Sequence, residues 1–152
     1  MKSVFKAFVA GAVLALGMVG SASAAQDTPA GLWETIDDKT GLARSHVRIV
    51  DNGGVLEGRV EKVLNKQPDD DPDGLCRKCE GARKDKPVVG MTILWGLKRD
   101  DDVWKGGEIL DPKSGKVYKC KMELIEDGRR LKVRGFIGVS LIGRSQTWNR
   151  LE

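Results

Sequence analysis

Tyr118-Lys119-Cys120-Lys121-Met122-Glu123-Leu124 decides the fold. Its apolar residues, Tyr118, Cys120, Met122 and Leu124, fall at every second position, with Lys119, Lys121 and Glu123 between them. A period of two places the two sets on opposite faces of a strand, one buried and one wet. Asp111-Pro112-Lys113-Ser114-Gly115 precedes the stretch and Asp127-Gly128 follows it. Both are turn chemistry, residues that form local side-chain turns or tolerate left-handed backbone.

Working outward, the same punctuation recurs at Asp37-Asp38-Lys39-Thr40-Gly41, Asp51-Asn52-Gly53-Gly54 and Asp100-Asp101-Asp102. Between these signals Val47 and Ile49 share one face while His46 and Arg48 take the other. Val89, Met91, Ile93, Trp95 and Leu97 are expected to share a face in the same way. No segment beyond the N-terminal one carries a 3.6-residue apolar period over helical length. The expectation is an all-β chain of about eight antiparallel strands with little helix. A meander of that size needs two packed sheets or closure into an up-and-down barrel, since one open sheet leaves its apolar face and both edges bare.

The chain ends bear on that choice. Gly31-Leu32-Trp33 opens the first strand, and Arg144, Trp148 and Arg150 lie in the last. This resembles the lipocalin-like, or calycin, arrangement, which implies that Gly31 and Trp33 pack at the closed barrel end beneath an arginine of the final strand. Arg144 is the candidate for that cap, with Trp148 as a structural partner.

A longer resemblance covers nearly the whole chain. Gly31-Leu32-Trp33, Asp37-Asp38, Pro72, Cys76, Cys79 and Gly81 begin it, followed by Gly90-Met91, Ile93-Leu94-Trp95-Gly96-Leu97, Trp104 and Gly106-Gly107. Asp111-Pro112, Gly115, Tyr118, Cys120, Leu131-Lys132-Val133-Arg134-Gly135 and Gly143-Arg144-Ser145-Gln146-Thr147-Trp148 complete it. In this order the motifs are similar to the domain-of-unknown-function 2147 family of small exported bacterial proteins. The resemblance implies a lipocalin-like barrel in the periplasm and no established activity.

Residues 1–24 read as a secretory signal peptide: Lys2 and Lys6, an apolar Ala7 to Val19, then Ala22-Ser23-Ala24. Cleavage after Ala24 leaves residues 25–152, a length suited to one domain. No other stretch approaches the roughly 20 apolar residues a membrane helix needs, so no integral membrane segment is expected after processing. The expected location is periplasmic, with secretion as a variant. Loss of Lys2 and Lys6 takes the formal charge from +4 to +2. That weak, interspersed balance excludes a nucleic-acid footprint.

The remaining chemistry concentrates in a long loop at about residues 66–87. An acidic run, Asp69-Asp70-Asp71-Pro72-Asp73, leads into Cys76-Arg77-Lys78-Cys79 and then Arg83-Lys84-Asp85-Lys86-Pro87. A thioredoxin-type pair needs a helix N-terminus, and the residues after Cys79 offer no apolar helical face. Zinc needs four ligands, so Cys76, Cys79, Cys120 and the sole histidine, His46, would all have to converge; no metal is expected. The aspartates lack the spaced ligands of a calcium loop. An oxidising compartment favours a disulfide. Cys76 with Cys79 is expected on proximity, leaving Cys120 a buried thiol. A bridge to Cys120 is the competitor, favoured by loop-closure entropy: about 4 against about 2 kcal/mol.

No hydrolase constellation emerges, since a triad needs a base and His46 is the lone histidine. Neither catalysis nor a cofactor is expected. A small barrel can instead hold one small ligand. The candidate interior set is Trp95, Trp104, Tyr118, Met122, Phe136 and Arg134, and the strand glycines mark either bends or space for a ligand. The leading expectation is a small apolar or amphipathic ligand bound without catalysis. A protein-interaction or envelope-stress module using the 68–87 loop is the second, and thiol-disulfide exchange at Cys76 and Cys79 the third. The apolar run Ile137 to Ile142 reads as burial in a strand, a lip at the barrel mouth or a membrane contact.

Overall fold

Local turn chemistry sets the strand boundaries. The Asp37 carboxylate accepts the backbone N–H groups of Lys39 and Thr40. Gly53 and Gly54 both adopt left-handed backbone, at φ 69° and 90°, as do Asp127 and Gly128 at 55° and 79°. These are hairpin conformations that most side chains resist and Gly, Asn and Asp tolerate. In the computed structural model, residues 27–139 and 141–152 are described. The expected signal peptide, residues 1–24, lies outside them.

Eight strands follow in chain order: β1 (Gly31–Ile36), β2 (Ala43–Asp51), β3 (Val55–Val63), β4 (Thr92–Asp100), β5 (Val103–Asp111), β6 (Lys116–Ile125), β7 (Arg130–Phe136) and β8 (Gly143–Arg150). Each pairs antiparallel with the next, and β1 pairs with β8 through Trp33 with Arg150 and Glu34 with Asn149, which closes the barrel. Closure removes both sheet edges. A three-residue 3-10 turn at Gly81–Arg83 completes the regular structure among the described residues. The expected all-β, up-and-down, lipocalin-like barrel is the fold.

One end of the barrel is solid. Trp33 and Trp148 are 0% and 1% exposed, and Ile49, Leu56, Leu97, Trp104, Met122 and Leu131 are buried around them. The expected face Val89-Met91-Ile93-Trp95-Leu97, however, does not exist as one face. Leu94 pairs with Ile109 and Trp95 with Glu108, so Leu94 points inward and Trp95 outward. Past Gly96, Leu97 is fully buried opposite Leu56. Gly96 and Gly106 both take left-handed backbone, φ 74° and 79°. A bulge at each inserts one residue and reverses the alternation, so Ile93 and Trp95 lie outside while Leu97 lies inside.

Candidate functional site

The inward-facing row changes character toward the open end, where β1, β3, β5 and β7 finish and the others begin. Thr35 and Ser45 pair across β1 and β2 with hydroxyl oxygens 2.8 Å apart, and Ser45 faces Val63 on β3. Ile109 faces Tyr118 across β5 and β6, and both are half-buried. Gln146 faces Val133, and Arg144 faces Gly135. Buried Val60, Leu94 and Val133 lie behind this rim. The rim bounds the barrel mouth, apolar on the Val63, Ile109 and Tyr118 side and polar at Thr35, Ser45, Gln146 and Arg144.

Six residues were candidates for the interior, and they separate into three places. Tyr118 reaches the mouth. Trp104 and Met122 pair on the inner face but are sealed within the solid half. Trp95, Phe136 and Arg134 stand outside: Phe136 is opposite Lys119, and Arg134 is opposite Lys121 and Ser145. Trp95 donates its indole N–H to Glu108 at 3.0 Å and lies under the Arg83 guanidinium at 4.3 Å. The six therefore do not assemble into one pocket. Sequence reasoning missed Ile109 because the parity of β5 cannot be read across its glycine bulge, whereas Gln146, which the sequence offered as an inward-facing polar residue, does reach the mouth.

The cap over Trp33 is also corrected. Arg150, not Arg144, lies over the indole, 4.2 Å from its ring centre. Its guanidinium donates to Gly128 O at 2.6 Å, Ala30 O at 3.0 Å and Thr28 O at 2.7 Å. Antiparallel pairing places the end of β8 beside the start of β1, so Arg150 is the arginine within reach. A Cβ on Gly31 would collide with Glu152 O and approach Arg150 Nη1 at 2.9 Å, which explains the glycine of Gly-x-Trp. Arg144 sits at the opposite end, 67% exposed, and pairs with Asp38 at 3.0 Å, tying β8 to the β1–β2 turn.

The long loop between β3 and β4 is anchored rather than loose. Arg44 makes a bidentate pair with Asp70 at 2.7 and 2.9 Å. Lys113 holds Asp69 at 2.7 Å, and Arg77 holds Asp71 and Asp73 at 3.1 and 2.8 Å. Gln67 donates its amide to Asp37 at 2.9 Å, joining this loop to the β1–β2 turn. The Thr40 N–H above all, then the Thr40 hydroxyl, Gln67 and the Lys39 N–H, lower the Asp37 pKa from 3.8 to about 2 against an opposing desolvation. A depressed folded-state pKa means that the stabilisation is present above the unfolded value and lost as pH falls through the folded one. Thermal stability should therefore decline as pH drops from 3.8 toward about 2, and Asp37→Asn should flatten that decline. Unfolding temperature against pH checks this; a slope identical in the variant counts against the Asp37 network.

Cys76 and Cys79 form a disulfide. Both are buried, 0% and 2% exposed, because the loop packs on the outer wall where Ile93 and Leu110 are also covered. Cys76 Sγ lies 3.2 Å from Pro112 O in the β5–β6 turn. A Cβ on Gly115 would overlap Lys78 O and come within 2.8 Å of Cys79 N. Gly115→Ala should thus lift the loop and let dithiothreitol reduce the disulfide about ten-fold faster, since each ~1.4 kcal/mol of lost docking multiplies opening tenfold. Alkylation followed by mass measurement reads the rate; an unchanged rate contradicts the docking. Cys120 is a free, buried thiol whose pKa desolvation pushes up to about 12, so it holds no thiolate near neutral pH. Among the described residues no group of three or more His, Cys, Asp or Glu is placed to hold a metal ion.

The family described as an uncharacterized protein conserved in bacteria, DUF2147, matches residues 31–150. The chain belongs to the DUF2147 family. The match runs from Gly31 at the closed end to Arg150, the residue that caps Trp33. Among solved structures, this DUF2147 chain is similar to protein HP1028 of Helicobacter pylori, described as belonging to the lipocalin family. The two share 17% identity and a TM-score of 0.67, over 81% of this chain and 82% of that one. That likeness is one of fold. No curated protein matches the sequence.

Proposed function

We propose that this DUF2147 protein binds a small amphipathic molecule at the open end of its barrel, after export to the periplasm, and performs no chemistry on it. One observation carries the reading: the inner row passes from fully buried Trp33, Trp148 and Leu97 to half-buried Ile109, Tyr118 and Gln146. A concave, mostly apolar surface with a few converging polar groups is the usual form of a small-ligand site. An apolar body would lie against Ile109, Tyr118 and Val63, and a polar or anionic end would reach Gln146 and Arg144. Because Ile109, Tyr118 and Gln146 are only half-buried, the occupant would be small and partly solvent-facing.

Thiol exchange stays outside the proposal, because both sulfurs of the disulfide are covered and exchange needs an accessible sulfur. Native mass spectrometry of protein purified from its own periplasm tests the binding reading, together with titration of an anionic naphthalene dye. Tyr118→Asp should weaken dye binding about ten-fold, the loss of roughly one buried side-chain contact, with the far-ultraviolet dichroism unchanged. Absence of both a co-purifying molecule and dye binding overturns the reading.

A further inference from the structure

The β7–β8 loop carries four exposed large apolar side chains within six positions: Ile137 at 62%, Val139 at 60%, Leu141 at 88% and Ile142 at 66%. The loop is closed on itself: Ile137 N–H bonds to Ile142 O at 3.0 Å and Ile142 N–H to Val139 O at 3.1 Å. Soluble surfaces scatter single apolar residues but seldom cluster them at one tip, and such clusters mark contact with a partner or a membrane.

The surface beside the tip indicates which. Leu141 borders an outer-wall depression of about 330 Å³ that is also lined by Lys121, Lys132 and Arg134, with Glu123 the lone carboxylate. Lys121 stands opposite Arg134, two cations side by side, and Lys132 stands opposite Glu123. An exposed apolar tip next to a cationic wall matches the two layers of an anionic bilayer surface, acyl chains and phosphate headgroups. A second copy of this chain would bring the same positive charges against themselves.

We propose that this face docks on an anionic lipid surface, with Leu141 and Ile142 entering the interface and Lys121, Lys132 and Arg134 contacting headgroup phosphates. The apolar tip rises from the open end, where β7 finishes and β8 begins, and the cationic wall lies on the outer face beside it; docking there does not depend on what the mouth binds.

Residues 27–152 contain all eight strands and their closure, and leave out the apolar segment Ala7 to Val19 that would itself associate with lipid. Their flotation with vesicles of phosphatidylethanolamine and phosphatidylglycerol should exceed that with phosphatidylcholine vesicles and should fall as salt rises. Leu141→Ser with Ile142→Ser should lower partitioning about ten-fold, from the apolar area withdrawn, at an unchanged unfolding temperature. Glu123→Lys, which adds positive charge to the same wall, should raise it. Equal partitioning of parent and loop variant, or none onto anionic vesicles, overturns the proposal. So does a dimer in sedimentation that the loop variant converts to monomer, which would make a second copy the occupant.

Discussion

Trp33→Ala should destabilise the barrel by about 3–5 kcal/mol, the range for removing a large aromatic side chain from a packed interior. Against a total of about 5–15 kcal/mol for a domain, that leaves the protein marginal. Trp33 is fully buried, and its indole N–H donates to Pro29 O at 2.8 Å. Its upper face is covered by Arg150, which also gathers the carbonyls of Thr28, Ala30 and Gly128. Alanine would remove the ring, open a void and leave the arginine over empty space. Arg150→Ala should cost less, about 1–3 kcal/mol for the carbonyls left without their donor. Arg144→Ala should stay within about 0.5 kcal/mol, as expected for an exposed surface pair. Urea denaturation of the three variants measures the series. An Arg144 effect as large as that of Arg150 would reverse the assignment of the cap.

What the sequence disclosed depended on whether period-two patterning survived along each strand. In β6 it did: Tyr118, Cys120 and Met122 face inward, and Lys119, Lys121 and Glu123 outward, as the alternation reads. The turn residues made the antiparallel meander legible, and closure followed only from what the resemblance carried by Gly31-Leu32-Trp33 and the longer family motif implies. The candidate site was not, because parity cannot be read through a bulge. Gly96 and Gly106 show in the sequence only as glycines, and nothing local says that each adds a residue to its strand. Phe136 and Arg134 were misplaced for another reason: the period in β7 fixes two faces but does not say which one meets the core. Leu131 and Val133 settle that only once their partners Leu124 and Met122 are known. The Arg144 error was one of register, which antiparallel closure decides.

Gly107→Ala should be the most damaging of the glycine substitutions within β4 and β5, at or above the upper end of the about 1–3 kcal/mol typical of overpacking. A Cβ there would fall on Trp95 O and lie 2.7 Å from both Leu97 N and Leu97 Cγ. Two of those atoms are backbone of the adjacent strand, so no rotamer change relieves the collision. β4 and β5 would have to separate at the bulge. Separation there disturbs Leu97, which is fully buried, and Cys120, which pairs with Gly107 across β6. Gly96→Ala makes the useful comparison. Its Cβ would meet only Gly107 Cα, at 3.5 Å, so the added atom has room, but its φ of 74° is left-handed. That substitution should cost about 1–2 kcal/mol, the strain of an L-residue in that conformation. Thermal or urea unfolding of the pair separates close approach from backbone strain. If Gly107→Ala is the milder of the two, the bulge is held by backbone conformation alone, and the close contact of β4 with β5 is not what keeps Trp95 facing outward.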